Sequence, residues 1–213
     1  MIRFGKILWS SFILANFYSC QTNSAQTFYQ QNQQNALRCC DTARHLIQTG
    51  DIITRTGNDF TSASLRRLNT HDQTYSHVGI ASIENQVIYV YHAVGGESNP
   101  NEKLRRDPLS EFVSGYDNEG FGIFRFDFDL NTKTSIQQQA QNLWQQGILF
   151  DMAFDLQTDD KMYCTEFVAK TIEKVLKNPN YFAVDTLSGK AYIAPDAIFL
   201  HSDCHEIKRL RYF

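Results

Sequence analysis

The chain has 213 residues, a net charge of −3 and a hydrophobic fraction of 42%. That length suits one domain of about 100–200 residues with a real core, and the charge argues against a basic nucleic-acid-binding face. No C-x-x-C and no zinc-type Cys/His spacing occurs, so nothing in the cysteine pattern implies a metal or other cofactor.

At the start, Arg3 and Lys6 precede a short apolar stretch, Ile7 to Phe17, too short to span a bilayer. It ends at Ser19-Cys20, a small residue before a cysteine, which resembles a lipobox. Residues 1–20 therefore read as a signal or lipoprotein-type segment with Cys20 as the lipidated residue. A cleaved signal peptide and a retained anchor are the alternatives. Residues 21–35 are rich in Gln, Asn, Ser and Thr and read as a polar tether. Residues 36–213 form the globular domain. The layout is that of an exported protein, membrane-anchored by lipid in a bacterial cell envelope. Its oligomeric state is not legible.

Within the domain, Ala36 to Gln48 has helical spacing and Gly50 ends it. Asp51 to Thr54 reads as a short strand, and Phe60 to Leu68 as a helix. His77 to Ile83 and Gln86 to Ala93 are strand-like runs around a tight turn at Glu84-Asn85, a hairpin signal. Gly95 to Arg106 reads as a loop, Leu109 to Val113 as a helical turn, and Gly122 to Phe128 as a further strand. Ser135 to Gln146 is an amphipathic helix with Gly147 as its cap. A second helix runs from Cys164 to Leu176 with the stripe Val168, Ile172, Val175 and Leu176. Pro195-Asp196 opens a short helix, and Glu206 to Tyr212 is a last strand. The sum is an α+β domain on a mainly antiparallel sheet packed against helices.

Cys164 stands at a helix start, where free N–H groups and the helix dipole favour a thiolate and can hold an oxyanion. A cysteine nucleophile needs a histidine within reach, held by a third polar group. His77 opens one strand and His92 lies near the end of the next, so the hairpin can bring them to one end of the sheet. Taken singly, a helix-start cysteine is more often structural, and a strand histidine more often core or surface.

The words around these residues change that balance. Gly50-Asp51-Ile52-Ile53, Tyr75-Ser76-His77-Val78-Gly79-Ile80, Phe154-Asp155 and Tyr163-Cys164-Thr165-Glu166-Phe167-Val168 occur in that order, followed by Pro195-Asp196. The set resembles the permuted papain-like hydrolases, specifically the YiiX-like branch of the NlpC-type superfamily, over about residues 48–200. The resemblance implies a circularly permuted papain-like fold, with Cys164 as nucleophile, His77 as base and His92 in the third place. Relatives often carry glutamate there, and an imidazole stabilises an imidazolium less than a carboxylate does. Lecithin:retinol acyltransferase-like relatives use a second histidine, which keeps acyl transfer open.

Other residues have two readings each. Tyr163 and Thr165 flank the nucleophile as oxyanion or cleft candidates, or they pack. Glu166 is an oxyanion or cleft candidate with a direct catalytic part, or it complements the helix dipole or caps the helix. Asp51 lines the cleft or closes a turn, and Ser76 bonds locally beside His77. Asp151 and Asp155 suit a cleft wall better than a metal pair. In an exported chain, Cys39 or Cys40 can bridge to Cys204, with Cys164 left free. The expected activity is amide cleavage through a Cys164 acyl-enzyme, on peptide or a lipid-linked amide, cell-wall peptide included. The alternatives are an acyltransferase or lipid hydrolase on the same fold, and a catalytically inactive binding module.

Overall fold

The computed structural model describes residues 11–96 and 99–213, with side chains described from Gln26 onward. The leader 1–20 and the lipidation of Cys20 thus lie outside the described side chains. In chain order the elements are α1 (Ser11–Ala43), β1 (Ile52–Gly57), α2 (Phe60–Arg66), β2 (His77–Glu84), β3 (Val87–His92) and β4 (Arg105–Pro108). There follow α3 (Leu109–Phe112), β5 (Asn118–Phe126), α4 (Leu130–Gln146), β6 (Leu149–Phe150) and β7 (Lys161–Met162). The chain closes with α5 (Cys164–Leu176), β8 (Asp185–Leu187), β9 (Lys190–Tyr192), α6 (Pro195–Phe199) and β10 (Cys204–Arg211).

Six strands make one antiparallel sheet in the order β10-β5-β1-β2-β3-β4. Successive strand residues face opposite sides, and here both sides are covered. Ile52, Val78, Ile80 and Tyr91 pack with Phe167, Val168 and Ile172 of α5 and with Ile136 and Ala140 of α4. Ile53, Ala81, Val90 and Ile123 pack with Ala36 and Ala43 of α1 and with Leu109 and Phe112 of α3. A centre strand buried on both faces needs an unbroken apolar run, which is why Ile52 and Ile53 stand side by side.

The helices follow their end signals. Asp129 Oδ1 accepts from Thr132 N at 2.7 Å and starts α4 five residues before the expected Ser135. Gly147, at φ 70°, ends it as expected. The hairpin turn uses Asn85 and Gln86, both at positive φ.

Two expectations are corrected. Residues 21–35 are helical rather than a loose tether. Asn32 Nδ2 donates to Gly115 O and Asn118 O, and Gln33 Oε1 accepts from Gly115 N at 2.6 Å. A Cβ on Gly115 would meet Asn32 O at 2.5 Å, so the glycine permits this close approach. Nor do Cys39 and Cys40 bridge to Cys204. Cys39 Sγ lies 3.6 Å from Arg211 O, at the far end of β10 from Cys204. Seven strand residues span about 23 Å, while a disulfide needs Cα atoms within about 7 Å. All four cysteines from Cys39 onward are free.

Candidate active site

Cys164 is the first residue of α5, and its neighbours fix it from both sides. Tyr163 OH accepts from Ile193 N at 2.9 Å, and Thr165 Oγ1 donates to Ile193 O at 2.5 Å. Glu166, fully buried, accepts from Tyr163 N at 3.2 Å, one half of a capping box. Lys170 Nζ stands 3.0 Å from its other oxygen and also holds Asp159 at 2.7 Å. Burial pushes the Glu166 carboxyl up to about 7 in spite of Lys170. The three neighbours therefore set the backbone at Cys164: Tyr163 and Thr165 line the cleft wall, and Glu166 points inward.

The histidines come from adjacent strands. His77 pairs with Arg55 at the start of β2, and His92 ends β3. Gly79 leaves the gap into which His92 fits: a Cβ there would stand 2.6 Å from Val90 Cγ1, 2.8 Å from Tyr91 O and 3.1 Å from His92 Cβ. His77 Nε2 lies 2.9 Å from His92 Nδ1, and His92 Nε2 lies 3.0 Å from Asp107 Oδ2. Phe112 covers the pair, its ring centroid 5.7 Å from His77 and 4.8 Å from His92. Arg105 holds the Asp107 carboxylate from outside at 2.9 Å.

This chain of bonds dictates the tautomers. An ionised carboxylate only accepts, so His92 Nε2 donates to Asp107. The neutral His92 ring then accepts at Nδ1, His77 donates from Nε2, and His77 Nδ1 keeps its lone pair. Burial works against the Asp107 charge, but hydrogen bonds from His92 and Arg105 hold the carboxyl below its usual range. Burial lowers His92 to about 4, with the Asp107 bond opposing. Burial, Arg55 and His92 hold His77 well below the ordinary histidine value.

Cys164 departs from the expectation drawn from its helix position. Burial pushes its thiol up to about 11, although N–H groups of Val78 and Thr165 and the Arg55 charge work the other way. Desolvation of a closed thiol outweighs the helix start. The resting site therefore holds a thiol and a neutral imidazole, a general-base arrangement.

Two cavities meet at Cys164. One, of about 270 Å³, is almost wholly apolar, with Leu65, Leu68, Phe154, Leu187 and Ile193 in its wall. The other, of about 260 Å³, holds Arg55, His77, Asp117 and Asn118. Ser76 lines both, its Oγ accepting from Gly57 N at 3.1 Å.

Asp51 does not reach this cleft. Its carboxylate takes Arg125 Nε at 2.7 Å, Arg125 Nη2 at 2.8 Å and Gln48 N at 2.7 Å, four residues along the strand from Arg55. It clamps β1 to β5. Asp151 accepts from Ala153 N and Asp155 N, shaping the loop before β7. Sequence reasoning missed Asp107 and Arg55. Arg105-Arg106-Asp107-Pro108 has no apolar alternation to mark a strand, so the loop expected from Gly95 to Arg106 hid β4. Arg55 carried a weak signal, a charged residue in a strand otherwise buried on both sides.

A buried cysteine at a helix start, sharing a cavity with a histidine backed by a polar relay, is the arrangement of a papain-like cysteine hydrolase. Here the histidine strand precedes the cysteine helix. A family model of permuted papain-like amidase enzymes, YaeF/YiiX, C92 family, matches residues 46–198, and the chain belongs to that family. The fold is similar to the crystal structure of metalloprotein yiiX from Escherichia coli O157:H7, with a TM-score of 0.62 and 22% identity. That likeness covers 77% of this chain and 98% of the other. No curated protein matches the sequence. The chain is thus a cysteine amidase of mixed α and β structure on a permuted papain-like fold.

Proposed function

We propose that this amidase cleaves an N-acyl amide bond, with Cys164 as nucleophile, His77 as base, and His92 and Asp107 as the relay that orients it. The observation that carries this reading is the hydrogen-bonded chain His77–His92–Asp107, which leaves one lone pair on His77, a residue lining the same cavity as Cys164. His77 takes the thiol proton as sulfur attacks the carbonyl carbon. The tetrahedral oxyanion receives N–H groups from the start of α5. His77 then gives its proton to the leaving amine as the C–N bond breaks. Water repeats the cycle on the thioester and releases the acid. The relay orients His77 and stabilises its imidazolium through His92, with Asp107 giving the second histidine the carboxylate backing it lacks by itself.

The apolar cavity on the other flank of Cys164 favours an acyl group of hydrocarbon character over a polar cell-wall peptide. The same cavity supports acyl transfer as a second reading, in which an alcohol or amine resolves the thioester. Among the described residues, no group of three or more His, Cys, Asp and Glu could hold a metal ion.

The leader pattern supports export and a lipid anchor at Cys20, with the helix beyond it as a stalk. No helix among the described residues is long and apolar enough to cross a membrane. Incubation with p-nitrophenyl octanoate tests the chemistry. Intact-mass measurement should show one octanoyl group, mapped to Cys164 by peptide digestion and absent from Cys164→Ala. A Cys164→Ala variant that still releases nitrophenol at the full rate would sink the mechanism.

A further inference from the structure

Arg55 is placed where a partly buried cation needs a reason. It pairs with His77 across β1 and β2, lines the polar cavity with Cys164, and is partly withdrawn from solvent. One of its five N–H donors has a partner, Phe112 O at 2.9 Å, and the guanidinium lies 4.9 Å from the Phe112 ring centroid. Among the described residues, no carboxylate comes within ion-pair distance. Asp117, the carboxylate that acts on it most, is exposed. Asp107 and Arg105 also bear on it, but the Asp107 carboxylate is already shared between His92 and Arg105. Asp59, on the same cavity wall, has its carboxylate taken up by Ser62 N and Oγ at the start of α2. Guanidinium groups withdrawn from water are ordinarily paired. Here the fork remains open towards the cleft.

The chemistry decides which part of a substrate meets it. The proton that leaves with the amine comes from His77, so the leaving nitrogen must lie on the His77 side of Cys164. His77 and Arg55 line the polar cavity, and neither lines the apolar one. The acyl group therefore extends into the apolar cavity, and whatever the amine carries extends past Arg55.

Resting on the amidase reading above, we infer that the substrate is an N-acylated amine whose amine part bears an anionic group, a carboxylate or a phosphate, held by the Arg55 guanidinium. An N-acyl amino acid has that form, as does an N-acylated phosphoethanolamine. Arg55 is then a specificity residue on the leaving-group side, and discrimination against a neutral amine arises because it leaves the guanidinium unpaired.

The test separates binding from turnover. N-octanoylglycine, N-octanoylglycinamide and N-octanoyl phosphoethanolamine are titrated calorimetrically into Cys164→Ala and into the double variants that add Arg55→Gln or Arg55→Lys. The Cys164→Ala protein should bind at least one of the anionic compounds about tenfold more tightly than the amide, a difference of about 1.4 kcal/mol. Arg55→Gln should abolish that preference, and Arg55→Lys should keep most of it, with thermal melting curves confirming that each variant folds. A stronger response to the glycine acid or to the phosphate names the anion. Equal binding of acid, phosphate and amide would overturn the inference, as would a preference that survives Arg55→Gln. Wild-type turnover is read alongside. Anion-selective binding without hydrolysis of any of the three would reject the amidase reading of these substrates and leave the anion subsite standing. Arg55→Gln lowering acid and amide hydrolysis by the same factor, with no change in relative binding, would mean that Arg55 serves the reacting atoms instead.

Discussion

Asp107→Asn probes the relay with almost no change in shape. The two hydrogen bonds are 2.9 and 3.0 Å long. With one imidazole ring between them, the carboxylate lies about 8 Å from the nearer nitrogen of His77, an attraction of about 2 kcal/mol for an imidazolium at an effective dielectric constant of about 20. Losing it slows proton uptake by His77 about thirtyfold, since about 1.4 kcal/mol is one factor of ten. The amide adds a second effect. Its NH₂ can donate to His92 Nε2, which reverses both donors along the chain and places the proton on His77 Nδ1. In a Ser-His-Asp triad the wrong tautomer costs about 10⁴ in kcat, so the expected loss lies between about thirtyfold and a thousandfold. The assay is stopped-flow acylation by p-nitrophenyl octanoate. Its leaving group needs no proton, so the rate reports activation of Cys164 by His77. Melting temperature should change little, because Asp107 keeps Arg105 and solvent on its open side. A loss below about threefold, with the fold intact, would show that Asp107 does not govern His77.

Other perturbations should have distinct signatures. Gly79→Ala should destabilise the domain by about 1–3 kcal/mol through overpacking and also slow acylation, because its Cβ lands 2.6 Å from Val90 Cγ1 and 3.1 Å from His92 Cβ; urea titration and the same kinetic assay read the two effects. His92 is buried and held at about 4 against an ordinary 6.5, so the unfolded chain binds more protons between those values. Its contribution to stability is then full above about pH 6.5 and is lost as pH falls towards 4, on the order of 3 kcal/mol for this one group. Melting curves from pH 7 to pH 4.5 should show the fall, and His92→Phe should flatten it; an unchanged slope in that variant would contradict the assignment. Asp51→Ala leaves Arg125 unpaired, which costs about 3–5 kcal/mol for a buried pair. The melting temperature should drop by roughly 10 °C, while the acylation rate of the folded protein stays at the wild-type value. A large loss of rate at full stability would return Asp51 to the cleft.

How much of this was legible in the sequence depends on what kind of force places each part. The sheet and both long helices of the core were visible because hydrophobic burial writes a period into the chain, as at Val168 and Ile172 or at Val78 and Ile80. Cys164 and His77 were visible through their local words. Asp107 was not, because β4 is an edge strand held by main-chain pairing to β3, and main-chain bonds leave no mark on side-chain pattern. The docking of residues 32–35 failed to show for a related reason: Asn32 and Gln33 attach by amide hydrogen bonds to the backbone of residues 115–118, so a polar segment looked like a tether. The ionisation state of Cys164 went the other way. Its helix position argued for a thiolate, but burial is a property of the assembled fold, and it outweighs the helix start.

In the proposed mechanism, that last reversal explains why the chain His77–His92–Asp107 has three members. A preformed thiolate would need only a nearby cation, and Arg55 could supply it. A buried thiol with a pKa near 11 must lose its proton during attack, and the imidazolium that results sits where Arg55 and burial both oppose it. A negative charge must therefore stabilise it. Asp107 supplies that charge through His92 from the edge strand β4, where bonds from His92 and Arg105 offset the burial of its carboxylate. A carboxylate at position 92 itself would have to ionise fully buried under Phe112. Histidine in the third place thus moves the negative charge one strand outward, and the base strength of His77 becomes a property of three strands rather than one residue.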